Sequence, residues 1–157
     1  MKHTAKGVTV LFKTNRVTRK IREAFPQVIE VYDALEGVRI DVSAKDRKGA
    51  EPQRPDACAF AKAACRTLKA DGAYIGLKSS YVVFGKKAVR FSTPVTVSRE
   101  IVSFDRHEDF ASGVYRLSQV SPSQRLPRAP RRDRKRPIPK KNKDRLGVMH
   151  HTARIRE

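Results

Sequence analysis

Between Asp56 and Ala70 the apolar residues Cys58, Ala61, Cys65 and Leu68 recur at spacings of three, four and three, with Phe60 and Ala64 beside them. That stripe is the buried face of an amphipathic helix, and Lys62, Arg66 and Lys69 fall on its wet side. Pro55 fixes φ and lacks an N–H, which suits a helix start, and Asp56 can cap the first turn. Asp71-Gly72 predicts the stop, with Gly72 in the left-handed C′ conformation.

The pattern then changes. The runs Ala73–Leu77, Tyr81–Phe84 and Ala88–Phe91 are rich in Tyr, Val, Ile and Phe and are cut by Lys78-Ser79-Ser80 and Gly85-Lys86-Lys87. This predicts strands joined by short turns, hence antiparallel neighbours. A sheet this small needs a cover, and the helix supplies one.

Upstream, Val8, Val10 and Phe12 alternate with polar residues and predict a short strand. Thr14–Phe25 predicts a helical turn or two. Val28, Val31 and Tyr32 alternate imperfectly, Leu35-Glu36-Gly37 reads as a turn, and Val38, Ile40 and Val42 alternate cleanly with Arg39 and Asp41. Together they suggest a hairpin. Ala44–Arg54 reads as a charged, exposed loop. Downstream, Thr93-Pro94 breaks the chain. Val97, Ile101, Val102 and Phe104 are spaced for a short helix with Ser98 as its cap, Asp105–Gly113 is a polar loop, and Val114, Tyr115 and Leu117 form a last short strand or extended segment. The expected fold is α+β: a small antiparallel sheet packed by one main helix and a second short helix, over residues 1–120.

From Pro122 the composition shifts. Pro122, Pro127, Pro130, Pro137 and Pro139 block helix and central strand alike. With few large apolar groups, residues 121–157 cannot bury enough surface to order themselves and are expected to be an extended arm.

Charge sharpens the picture. The 157 residues carry 35 Lys or Arg against 16 Asp or Glu, a formal net of +19. From Ser118 onward 13 basic residues face 3 acidic ones, so about a quarter of the chain holds +10 of the excess. Residues 1–22 hold seven basic residues and no acid. Such an excess attracts polyanions, nucleic acid first, then an acidic protein surface or anionic lipid.

The candidate binding residues are therefore Arg16, Arg19, Lys20 and Arg22 near the N-terminus and Arg128, Arg131, Arg132, Arg134, Lys135, Arg136, Lys140, Lys141, Lys143 and Arg145 in the arm. Lys and Arg release condensed counterions from phosphates, which gives affinity without sequence choice. Arg also grips a phosphate with two parallel hydrogen bonds. A proline-stiffened segment extends ~3.1 Å per residue, so the arm could reach on the order of 100 Å. Lys78, Lys86 and Lys87 lie near Tyr74, Tyr81 and Phe84; on one sheet face they would form a stacking platform, although strand aromatics more often belong to the core.

Other chemistry is thinly represented. Cys58 and Cys65 are two helical turns apart, ~10 Å, too far for an internal disulfide, and lack the spacing of a zinc site. They read as small buried hydrophobes. Asp105-Arg106-His107-Glu108-Asp109 reads as a solvated loop, and His150-His151 lacks a ligand set. There is no GxSxG, P-loop, GxGxxG or HExxH. The expectation is no enzyme, no cofactor, no metal and no small-molecule substrate. No run approaches the ~20 apolar residues of a membrane span, nor does the N-terminus read as a secretory signal.

The order of features from Asp56 to Leu117 resembles small proteins of no settled activity encoded by tailed bacteriophages and prophages. The residues that carry the likeness are Pro55-Asp56-Ala57-Cys58-Ala59-Phe60-Ala61, Val82-Val83-Phe84, Pro94, Ile101-Val102-Ser103-Phe104-Asp105 and Val114-Tyr115-Arg116-Leu117. The resemblance implies a phage origin, in the virion or the host cytoplasm, and no particular activity. With the charge distribution it gives two expectations. One is a capsid-associated or decoration-type structural protein in a multi-subunit assembly, its arm on neighbouring subunits or packaged nucleic acid. The other is a free, sequence-independent nucleic-acid-binding protein.

Overall fold

A computed structural model describes residues 3–5, 8–14, 17–121 and 123, the first two segments by their backbone alone. The predicted arm, with Arg128 to Arg145, and Arg16 lie outside the described residues.

Strands β1 (His3–Ala5), β2 (Val8–Thr14), β3 (Glu30–Ala34), β5 (Gly72–Ile75), β6 (Ser79–Phe84) and β7 (Lys87–Ser92) form one six-stranded sheet in the order β1-β2-β3-β7-β6-β5. Every neighbour is antiparallel except β3 and β7, which run parallel with Val31 opposite Ala88 and Asp33 opposite Arg90. The class is α+β as expected, but the sheet is mixed. Parallel neighbours need a long crossover, and the chain between Ala34 and Lys87 supplies it.

The expected hairpin between β3 and β4 (Val38–Val42) does not form. Instead β4 pairs with β8 (Gly113–Leu117) in a separate two-stranded antiparallel ribbon, Ile40 opposite Tyr115 and Val38 opposite Leu117. The buried side of this ribbon, Ile40, Val42 and Leu117, joins the main core, and β4 has no free edge of β3 to pair with, because β2 and β7 already lie on either side of it. Ser118 then bonds Ser92 in both directions, tying the ribbon to the end of β7.

Strands β6 and β7 are buried on both faces, which is why they read as near-continuous apolar runs. On one face Val82, Val89 and Phe91 meet Phe60, Ala63 and Ala64 of helix α3 (Ala59–Leu68) and Val97, Ile101 and Phe104 of helix α4 (Val95–Asp105). On the other, Val31, Tyr81, Val83 and Ala88 meet Ile21 of helix α1 (Arg19–Ala24), with Val17 and Phe25 against them. A fully buried side chain of this size contributes about 1.5–3 kcal/mol.

Several local expectations are displaced. Helix α3 starts at Ala59 with Cys58 as N-cap, its Sγ accepting from Ala61 N at 3.4 Å, because Asp56 is turned to Arg54. It ends with Lys69 in the left-handed region (φ 51°), and Gly72 already belongs to β5. A Cβ at Gly72 would overlap the Phe25 ring, so glycine serves packing there. Pro94 caps α4; Ser98 lies inside it and its Oγ donates to Leu77 O at 2.7 Å. The second helix, at 11 residues, is no shorter than α3 at 10.

Two stretches read as loops contribute to the core. Within 44–54, helix α2 (Ala44–Arg47) turns on Asp46, whose Oδ2 accepts from Ser43 N and Ser43 Oγ, both at 2.8 Å, the reach-back half of a capping box. Asp46 is 5% exposed and holds Arg66 of α3 through Oδ1 at 3.0 Å and Oδ2 at 2.8 Å. Within 105–113, Phe110 is fully buried, edge-on to Phe104 and Tyr115 and 6.0 Å from Phe60.

Candidate polyanion interface

Helix α1 is short and held by one residue. Ile21 is fully buried against the sheet, so its neighbours Arg19, Lys20, Arg22 and Glu23 all face solvent. Arg19 Nε donates to Glu23 Oε1 at 2.6 Å across one turn, an exposed i,i+4 pair of small energetic weight. Arg22 Nη2 donates to Val17 O at 3.4 Å. Lys20 has no ion pair or side-chain hydrogen bond among the described residues. Three of the four expected N-terminal cations thus share one helix.

Facing α1 is the β5–β6 turn. A groove of about 600 Å³ runs between them, with Thr18, Arg19 and Lys20 on one wall and Tyr74, Lys78 and Tyr81 on the other. A smaller recess of about 220 Å³ continues from it past Lys20 and Tyr74 to Arg54 and Asp105. Tyr74 and Tyr81 are directly opposed across β5 and β6, so both point to the α1 side. Burial raises the pKa of both phenols, which therefore stay neutral and offer O–H groups and ring edges, not charge. Arg54 is occupied by Glu51 at 2.8 Å and Asp56 at 3.1 Å, and Asp105 Oδ1 accepts from Gln53 N at 2.7 Å. The free positive charge of the groove is therefore Lys20 and Lys78.

The wider stacking platform does not assemble. Phe84 faces the opposite core, while Tyr81 is 8% exposed and Tyr74 half-buried against α1. Lys86 in the β6–β7 turn and Lys87 at the start of β7 lie at the other end of a strand ~20 Å long. Lys87 Nζ sits 5.8 Å from the centre of the Tyr32 ring instead.

Cys58 Sγ is buried, which pushes its thiol pKa up to about 11, and Cys65 is raised too, by burial first and then by Asp71. Both are free thiols. Among the described residues no three His, Cys, Asp or Glu gather to hold a metal ion, and no helix is long and apolar enough to cross a membrane.

A second cationic feature escaped the sequence reading. Arg39 and Arg116 stand directly opposite each other on the exposed side of the β4–β8 ribbon. The alternation that exposes Arg39 was legible, but its partner depends on which strand β4 joins.

No protein-family model matches the chain, and no curated protein or solved structure shows significant similarity to it.

Proposed function

We propose that this is a non-enzymatic assembly protein that binds a polyanion, working as a structural component of a phage particle, capsid-associated or of decoration type. One observation carries this reading: the carboxylates of the described residues are largely committed to the fold. Glu23, Asp33, Asp46, Glu51 and Asp56 are held by arginines, and Asp71, Glu100 and Asp105 accept from backbone N–H groups. A net charge of +19 is left to find its counter-charge outside. Lys20 and Lys78 in the α1 groove supply an ordered patch, and the basic residues beyond Ser123 supply most of the remaining density.

The groove also favours a second reading, a protein that binds nucleic acid free in the cell without sequence choice, because aromatic edges beside unpaired lysines suit a single strand. The two separate experimentally. An assembly component occurs at fixed stoichiometry in purified particles, and deleting 122–157 loosens them. A free binder shows log affinity falling steeply with log salt, and the same deletion flattens that slope. Particles lacking the protein eliminate the first reading; an unchanged slope in the truncated chain eliminates a binding role for its basic end.

A further inference from the structure

Cross-strand neighbours on one face of an antiparallel pair have Cβ atoms ~5 Å apart, and like charges in that position destabilise the sheet. Arg39 and Arg116 are such a pair: Cα partners in the β4–β8 register, both exposed. Neither has an ion pair or side-chain hydrogen bond among the described residues, although four other arginines, Arg19, Arg54, Arg66 and Arg90, each hold a carboxylate. Asp41, opposite Val114, is the acid on the same face of the ribbon; it makes no ion pair with either arginine, and it adds to the electrostatic field that raises the pKa of Arg66.

The backbone makes room for this pair. Arg116 folds over Gly37, so that a Cβ there would meet Arg116 Nε at 2.8 Å and Leu117 O at 2.7 Å. Any side chain at 37 would push the guanidinium away. Arg39, Arg116, Gly37 and Val114 line a shallow depression of about 350 Å³.

We infer that the Arg39–Arg116 pair is a binding site for a phosphate group. Two unpaired guanidinium groups lining one depression suit a tetrahedral oxyanion, which can accept paired hydrogen bonds from each and cancel their mutual repulsion. The site lies on the ribbon, apart from the α1 groove, and does not rest on the functional reading above. The phosphate is either a free ion or a phosphodiester of a nucleic-acid backbone, and the test distinguishes them.

The test uses the full chain. Inorganic phosphate is titrated at constant ionic strength, balanced with chloride, while the Nε–Hε NMR signals of Arg39 and Arg116 are followed. The signals are assigned with Arg39→Gln and Arg116→Gln. The expected result is a saturable shift of both signals, with affinity about tenfold or more weaker in each variant. Arg116→Lys, which keeps the charge and loses the fork, should weaken binding as well. Thermal unfolding supplies a second readout. Wild type gains Tm from phosphate beyond chloride, whereas Arg116→Gln gains nothing extra yet starts higher in chloride alone. A short oligothymidine shifting the same signals at lower concentration than phosphate identifies the backbone as source; phosphate binding without it identifies the free ion. Non-saturating shifts, or equal responses of wild type and variants, overturn the inference.

Discussion

Arg90 and Asp33 meet inside the protein, Nε to Oδ1 at 2.7 Å and Nη2 to Oδ2 at 3.1 Å, at opposed positions on the parallel β3–β7 pair. Both are buried, with side chains 7% and 4% exposed. Their attraction mainly offsets the cost of taking both charges out of water, so the intact pair adds little net stability. Removing Asp33 takes away the carboxylate that the buried Arg90 guanidinium bonds through two nitrogens. Asp33→Ala should cost about 3–5 kcal/mol in urea unfolding, while a paired apolar replacement of both residues should cost far less. Equal losses from the single and double variants would show that the pairing is not what makes the single change costly.

Phe110 anchors the chain between α4 and β8. It is fully buried among Phe60, Phe104 and Tyr115. Phe110→Ala should lose about 3–5 kcal/mol through transfer and cavity terms, lowering the urea midpoint at an unchanged m value.

Asp46 links stability to acid. The Arg66 guanidinium, aided by the Ser43 backbone and hydroxyl, lowers its carboxyl pKa from 3.8 to about 2. A depressed folded pKa means that the stabilisation is whole above the unfolded value and drains away as pH falls from about 4 toward 2. Asp46→Ala should unfold more easily at pH 7 by about 1 kcal/mol or somewhat more from the lost cap. Its stability should also fall less steeply than wild type over that acid window, as read by circular dichroism melts. Parallel curves would remove Asp46 from the account.

The two thiols should differ in reactivity. Cys58 is 2% exposed with a strongly raised pKa, while Cys65 is half-buried. At pH 8 an alkylating reagent should label Cys65 slowly and Cys58 only at the rate of opening, which mass spectrometry of tryptic peptides resolves.

Gly72→Ala should destabilise the fold by about 1–3 kcal/mol, because the new methyl drives the Phe25 ring off β5. Adding Phe25→Leu should recover part of the loss, and a null effect of the glycine change would contradict the tight packing of α1.

The strands around Tyr81 and Phe91 and both longer helices could be read along the chain because their signals are local: period, turns and proline breaks. What could not be read depended on partners distant in sequence. Val38–Val42 looks like half a hairpin whether it pairs with Glu30–Ala34 or with Gly113–Leu117, and only the competition for sheet edges decides. Asp46 and Phe110 sit in polar stretches whose average character hides one buried side chain each. Of the candidate site, Arg19, Lys20 and Arg22 were legible as a basic run, whereas Lys78 joins them only because β5 and β6 turn back beside α1. The Arg39–Arg116 pair needed the register itself.

The β4–β8 ribbon also has a consequence for biosynthesis. Its strands are separated by most of the domain, and α3, α4 and Phe110 pack on it from one side. Such non-local closure makes folding slow relative to helical bundles of similar size. During translation the apolar undersides of β4 and α3 stay unshielded until Leu117 leaves the ribosome, so the nascent chain passes through a long interval in which a chaperone is the natural cover.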